Sequence, residues 1–348
     1  MDLGNVLIDG FRAAFGVEAV VFALAAIGLN IHFGYTGLLN FGQVGFMLVG
    51  AYGVAIMGRP CPDVAATQTA ADQIGPCGQP LVVGVLVGIL LAVILALLLG
   101  APTLRLRSDY LAITTIAAAE ILRFVFRSDV ARPITNSVFG LQQFAGDFFA
   151  VNPFPDGPSD RYFGALNYSG QQLWVMVVGW ALVGLLTYWT WSLMRSPWGR
   201  VLKSIREDED AARALGKNVF SYKMQALILG GIFGALGGIF LAMGTQAVNP
   251  DTYIPVRTFF AYVIIILGGA GTIWGPIVGT FIFLFLTAGL DTLMRELIEG
   301  GIISESIIAT QEIGPIRFIL VGLMLALLMA FRPQGIFGNK EEMLLDAR

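Results

Sequence analysis

Charge is scarce in this sequence: of its 348 residues, 13% are Asp, Glu, Lys or Arg, 56% are hydrophobic, and the mean hydropathy is +0.75. A soluble globular domain carries about 25% charged residues, so the composition excludes one and requires an integral membrane protein. Histidine occurs once, at His32, with no metal-spaced carboxylate pair beside it, which excludes a metal cluster; His32 is expected at a span end near lipid headgroups. The G-x-x-x-x-G-K-[ST] phosphate loop is missing. The nearest stretch, ALGKN at 214–218, lacks its glycine spacing and its Ser/Thr, so the chain is expected neither to hydrolyse ATP nor to bind a cofactor. Basic residues occur without interleaved aromatics, which excludes a nucleic-acid site, and no constellation of catalytic type accompanies them. The first residues lack the basic start, short apolar core and cleavage site of a secretory signal, so the first apolar segment is expected to be a retained span. No stretch suffices for a separate soluble domain, and residues 1–348 are expected to form one all-α transmembrane domain.

What the sequence does have is apolar windows of about 20 residues, the length that crosses roughly 30 Å of hydrocarbon. The windows fall at about 11–31, 38–57, 81–100, 110–127, 171–194, 223–244, 258–270, 273–291 and 315–331, which predicts nine crossings. Placing 195–223 in the cytoplasm also puts 32–37, 101–109 and 332–348 there. Those four segments hold 12 of the 21 Lys and Arg residues and all four lysines (Lys203, Lys217, Lys223, Lys340), as the positive-inside rule demands. The loops 58–80 and 128–170 then lie outside. Cys61 and Cys77 share the first of them, where they either close a disulfide or remain two free thiols in a polar loop.

Helices in lipid associate through close backbone approach across small residues. Gly230, Gly234 and Gly238 share one helical face, and Gly84/Gly88 and Gly275/Gly279 repeat the same four-residue step, which predicts tight helix packing. The stretch GYTGLLNFGQVGFMLVGAYG, 34–53, differs because it adds Asn40 and Gln43 to its glycines. Buried amides in hydrocarbon need partners, and irregular backbone is tolerated only where it lines protein or water. Asn40, Gly42 and Gln43 are therefore expected at an irregular, interior-facing start of the second span, lining or shaping a pathway. A comparable glycine rhythm returns in GGAGTIWGPIVG, 268–279. Two interrupted segments, one in each half, fit a transporter built from structural repeats. Glu18 and Glu120 are the carboxylates within spans; Arg123, one turn from Glu120, predicts a structural ion pair near a span end.

Between the fifth and sixth windows, 195–223 carries seven basic and four acidic residues. Over 201–215 the residues favour a single amphipathic helix, with Val201, Ile205, Ala211, Ala212 and Leu215 on its apolar face and Gly216 as its stop. Ala211 and Ala212 are expected to face a partner's groove, with Arg206, Glu207, Asp208 and Glu209 as a polar rim.

The four stretches 34–52, 196–216, 266–279 and FRPQGIFG at 331–338, in that order, resemble the inner-membrane permeases of ABC transporters for branched-chain amino acids, the LivH/LivM type. The likeness covers nearly the whole chain and is greater to the LivM partner than to the shorter LivH. Asp210-Ala211-Ala212, with Gly216 beyond, resembles the EAA-x3-G loop by which such permeases dock their ATPases, Asp replacing Glu. The resemblance implies half of a translocation pathway in a bacterial inner membrane. It also implies a LivH-like second permease subunit, two cytoplasmic ATPase subunits that use ATP, and an extracytoplasmic binding protein. Urea and short-chain amide importers share these motifs and stay open as alternatives. An ion-coupled secondary transporter would need more intramembrane carboxylates than Glu18 and Glu120, and a non-transporting scaffold would leave Asn40 and Gln43 unexplained.

Overall fold

The computed structural model describes residues 3–61, 76–104, 108–155, 161–300, 313–332 and 334–338. Long Leu, Val, Ile and Ala runs have no side chains that compete for backbone bonds, and in hydrocarbon a chain can satisfy its amides locally only as a helix. The helices are α1 (Leu3–Phe15), α2 (Val17–Leu29), α3 (Gln43–Gly58), α4 (Leu81–Thr103), α5 (Ser108–Arg127), α6 (Gly170–Arg195), α7 (Pro197–Glu207), α8 (Glu209–Ala214), α9 (Val219–Thr245), α10 (Val256–Gly268), α11 (Gly275–Glu299) and α12 (Ile313–Phe331). A wider π-helical turn, Asn30–Tyr35, continues α2. Short helical turns occupy much of the ground between α5 and α6, and one two-residue antiparallel pair, β1 (Leu141–Gln142) with β2 (Ala247–Val248), ties that region to the end of α9.

Six helical stretches among the described residues are long and apolar enough to cross a membrane: Val17–Tyr35, Leu81–Thr103, Gly170–Arg195, Val219–Thr245, Pro250–Gly268 and Gly275–Glu299. The other three predicted windows coincide with α3, which is 16 residues long after a non-helical start, with α5, whose second half carries Glu120, Arg123 and Arg127, and with α12. The window 11–31 needs correction. Gly16 interrupts it with extended backbone at the start of α2, so residues 11–15 belong to a separate helix, α1, that packs along α11 through Phe11 on Phe285 and Phe15 on Phe281.

The centre of the bundle is α2, α3 and α9. Every residue of Ala19–Leu29 and of Gln43–Ala55 is buried, and α9 lies against both helices. Glycine makes that approach possible: a Cβ on Gly238 would collide with the Met47 carbonyl, and one on Gly234 would press on Gln43 and Phe46. α4 buries the stripe Gly84, Gly88, Ala92, Ala96 and Gly100 and turns Val82, Leu86, Leu90 and Leu98 outward. Inverting the soluble-protein pattern in this way is what a helix does when small residues face protein and large ones face an apolar surrounding.

Both ends of the bundle are polar. At one end Arg123 binds Glu120 and Asp251 at 2.8 Å each, Arg127 reaches Asp251 at 3.3 Å, and Glu18 pairs with Arg257 at 3.2 Å. Glu18 and Glu120 are therefore both ion-paired; Asp251 and Arg257 are partners that the sequence did not reveal. The same end carries the disulfide between Cys61 and Cys77. Residues 62–75, most of the loop between those cysteines, lie outside the described residues, as do Arg105, Arg107 and Lys340 of the predicted cytoplasmic set.

Candidate functional site

At the opposite end, the π-helical turn of α2 stops at Tyr35 and the chain runs without a helix through 37–40 before α3 begins at Gln43. Gly37 takes φ +73°, a left-handed angle that glycine adopts without strain. Starting a helix here leaves backbone N–H groups without helical acceptors, and three of them are met by side chains. Asn40 Oδ1 accepts from Gly42 N–H at 2.9 Å, Thr115 of α5 accepts from Phe41 N–H at 3.1 Å, and Thr258 of α10 accepts from Val44 N–H at 3.0 Å. Tyr262 of α10 donates to the Asn40 carbonyl at 3.1 Å. Helix α3 is thus capped by its neighbours.

Asn40 and Gln43 are both fully buried. Asn40 Nδ2 lies 3.1 Å from His32 Nδ1 and donates to Gln43 Oε1 at 3.3 Å; Gln43 Nε2 donates to the Gly230 carbonyl at 3.0 Å. His32 Nε2 sits 3.1 Å from the Leu227 carbonyl, so the tautomer protonated there donates to α9 and accepts from Asn40. The expectation that His32 would reach the headgroups is thereby corrected: its exposure is 0%, because the break in α2 and α3 supplies polar partners inside the bundle. Gly42 faces α5, where a Cβ would come 2.6 Å from the Thr115 carbonyl. Its lack of a side chain serves a helix contact.

The second glycine-rich interruption, between α10 and α11, packs directly on the first. Asn30 Oδ1 accepts from Gly271 N–H at 2.9 Å, and its Nδ2 donates to the Thr272 carbonyl at 2.8 Å, so one amide side chain stands in for a backbone partner. Thr272 then caps α11 by accepting from Gly275 N–H at 3.1 Å. On the far side, Ile336 and Phe337 N–H donate to the carbonyls of Leu267 and Gly268 at 3.1 and 3.0 Å. Gly269 (φ +112°) and Gly335 (φ +76°) allow that approach. Asn30 was missed from sequence although the argument applied to Asn40, an amide inside an apolar window, holds for it equally.

The fourth segment reaching this end is 195–223, and its fold departs from the single helix predicted over 201–215. The helix breaks at Asp208, which is extended (φ −152°, ψ 107°) and accepts from the N–H groups of Asp210 and Ala211 at 2.9 Å each. An Asp followed by two further acids is a better helix start than a helix interior. The apolar face divides accordingly. Ala212 is 2% exposed and packs on Ile205 and Val219 of its own chain, whereas Leu215 is 80% exposed at the tip and Ala211 faces outward. The expectation that Ala212 would face a partner's groove is therefore corrected. So is the rim: Arg206 turns inward to the Gly34 carbonyl, Asp208 caps α8, and Glu209 binds Arg213 and Lys223, leaving Glu207 outward; Asp210 of the docking-like motif is exposed as well. Gly216, φ +76°, ends α8 in the left-handed conformation expected of it.

The profile of the family described as "Branched-chain amino acid transport system / permease component" matches residues 12–329 of this chain. The chain is 27% identical over 332 residues to the high-affinity branched-chain amino acid transport system permease protein LivM of Escherichia coli strain K12, covering 91% of this chain and 68% of that protein. It is 25% identical over 340 residues to the probable branched-chain amino acid transport permease protein LivM of Methanocaldococcus jannaschii, covering 92% and 91%. A shorter likeness, 31% over 125 residues and 34% of this chain, runs to the autoinducer 2 import system permease protein LsrC of Photorhabdus laumondii. No solved structure matches.

Proposed function

The chain belongs to the family of branched-chain amino acid transport permease components, and from that premise we propose that it forms half of the translocation pathway of an importer for branched-chain or other neutral amino acids, powered by ATP hydrolysis in partner subunits. It is a multi-pass inner-membrane permease and not an enzyme. A second permease subunit of LivH type completes the pathway, two ATPases dock beneath, and a binding protein delivers substrate from outside. The observation that carries the reading is the element α7–α8. It is a folded element at the end of the bundle, in which Glu209 binds Arg213 within α8 and Lys223 of α9, with Leu215 offered to whatever lies beyond. Leu215, 80% exposed on a capped helix end, is the apolar side chain that a docked ATPase would cover in this reading.

Asn40, Gln43 and Gly42 shape the pathway in this reading by fixing where α3 starts, since their own polar atoms are spent inside the chain. A neutral or zwitterionic solute calls for few fixed charges, and Glu18 and Glu120 are already paired. The docking reading is tested by Leu215→Asp. The permease is expected to reach the membrane in normal amount while ATPase copurification falls at least tenfold; unchanged copurification refutes it. Substrate is tested by uptake of labelled leucine against urea in reconstituted complexes, with leucine expected to be transported.

A further inference from the structure

Arg206, next to last in α7, is anchored to the membrane bundle. Its Nη1 donates to the Gly34 carbonyl at 2.5 Å, where the π-helical turn is ending. Its aliphatic stem rests on Gly37, so closely that a Cβ there would come 3.2 Å from Cγ. The other interruption meets the same guanidinium: a Cβ on Gly271 would lie 2.8 Å from Nη1 and 3.0 Å from the Gly34 carbonyl. One side chain on the projecting element thus touches both broken segments, and Asn30 locks those segments to each other. Two residues further on, Asp208 opens α8.

We infer that Arg206 is a positioning residue that conveys movement of the α7–α8 element to both helix interruptions; this rests on the docking reading above. Three features on that route favour it. The guanidinium has several donors in a planar fork, so it can hold one carbonyl while a second backbone segment packs against it. Gly37, Gly269 and Gly271 take positive φ, so the segments it touches are short of side chains that would resist rotation. Their backbone bonds run to side chains of Asn30, Asn40 and Thr272 instead of an unbroken helical ladder, so they can change conformation without unwinding a helix.

The test uses the complete importer in liposomes, with ATPases and binding protein present. Arg206→Ala is expected to keep ATPase copurification and basal ATP hydrolysis within twofold of the parent. Transport should fall at least tenfold, and stimulation of hydrolysis by the loaded binding protein should vanish. Arg206→Lys, which can reach the Gly34 carbonyl with a single ammonium, is expected to restore part of both. Normal transport in Arg206→Ala overturns the inference. Loss of ATPase copurification in that variant also overturns it, because Arg206 would then only hold the projection in shape. Leu215→Asp, measured alongside, separates the two readings. Release of the ATPases there with normal transport in Arg206→Ala removes the inference alone, whereas their retention removes the docking reading on which it rests.

Discussion

Asn40 serves three groups at once: the Gly42 N–H, His32 Nδ1 and Gln43 Oε1. Leucine at this position is nearly isosteric and strands all three in a site that water does not reach. Each stranded group costs about 1–3 kcal/mol, so Asn40→Leu is expected to destabilise the protein by several kcal/mol, seen as a lowered melting midpoint and a poorer folded yield in detergent. Gly238→Ala tests close packing in the same way. Its Cβ would collide with the Met47 carbonyl, and separating α9 from α3 should cost about 1–3 kcal/mol by the same assay. Asn40 and Gln43 were legible because an amide in an apolar run has no neutral explanation. His32 was misread because the same rule was not applied to it, and Thr115 and Thr258 carried no signal, since a threonine in an apolar helix normally satisfies itself on the preceding turn.

At the scale of elements, the segment 195–223 shows what periodicity can and cannot settle. The spacing of Val201, Ile205, Ala212 and Leu215 suggested one helix, and Asp208, with Glu209 and Asp210 after it, could have been read as a second helix start. Removing that start with Asp208→Ala leaves two N–H groups of α8 without their acceptor, and is expected to cost about 1 kcal/mol. The effect should appear as several-fold faster proteolysis of the projection, with the spans unaffected. Ala212→Asp is expected to act differently from Leu215→Asp. It buries a carboxylate against Ile205 and Val219, so it should unfold the projection itself and lower the yield of intact permease. The two interruptions were legible as glycine-rich, polar departures from span composition. That they lie against each other was not, because Asn30 and Gly271 are 241 residues apart and nothing local connects them.

For the whole molecule, the positive-inside count and the cysteine pair assign the two ends, and the structure gathers 32–37, 195–223 and 335–338 at one end and the disulfide at the other. A membrane-impermeant thiol reagent applied to intact cells with the outer barrier opened is expected to label Cys61 and Cys77 after reduction and neither before it. Labelling that requires the inner membrane to be breached would invert the orientation. All nine windows coincide with helices, but the boundary of the first did not hold, since α1 and α2 divide at a glycine that hydropathy does not register. The capping of α3 also sets a schedule. Its first turn is closed by Thr115 and Thr258, which lie 74 and 214 residues further along the chain than the amides they accept from. At a synthesis rate of about 5–20 residues per second, the second acceptor leaves the ribosome on the order of 10–40 s after α3 does. Throughout that interval α3 is a short helix with an unsealed start, held by the insertion machinery or by water at the bilayer edge, and its depth becomes fixed only when α10 arrives. A ribosome-stalled chain ending before residue 258 should therefore leave α3 open to protease, and one extended past α10 should not.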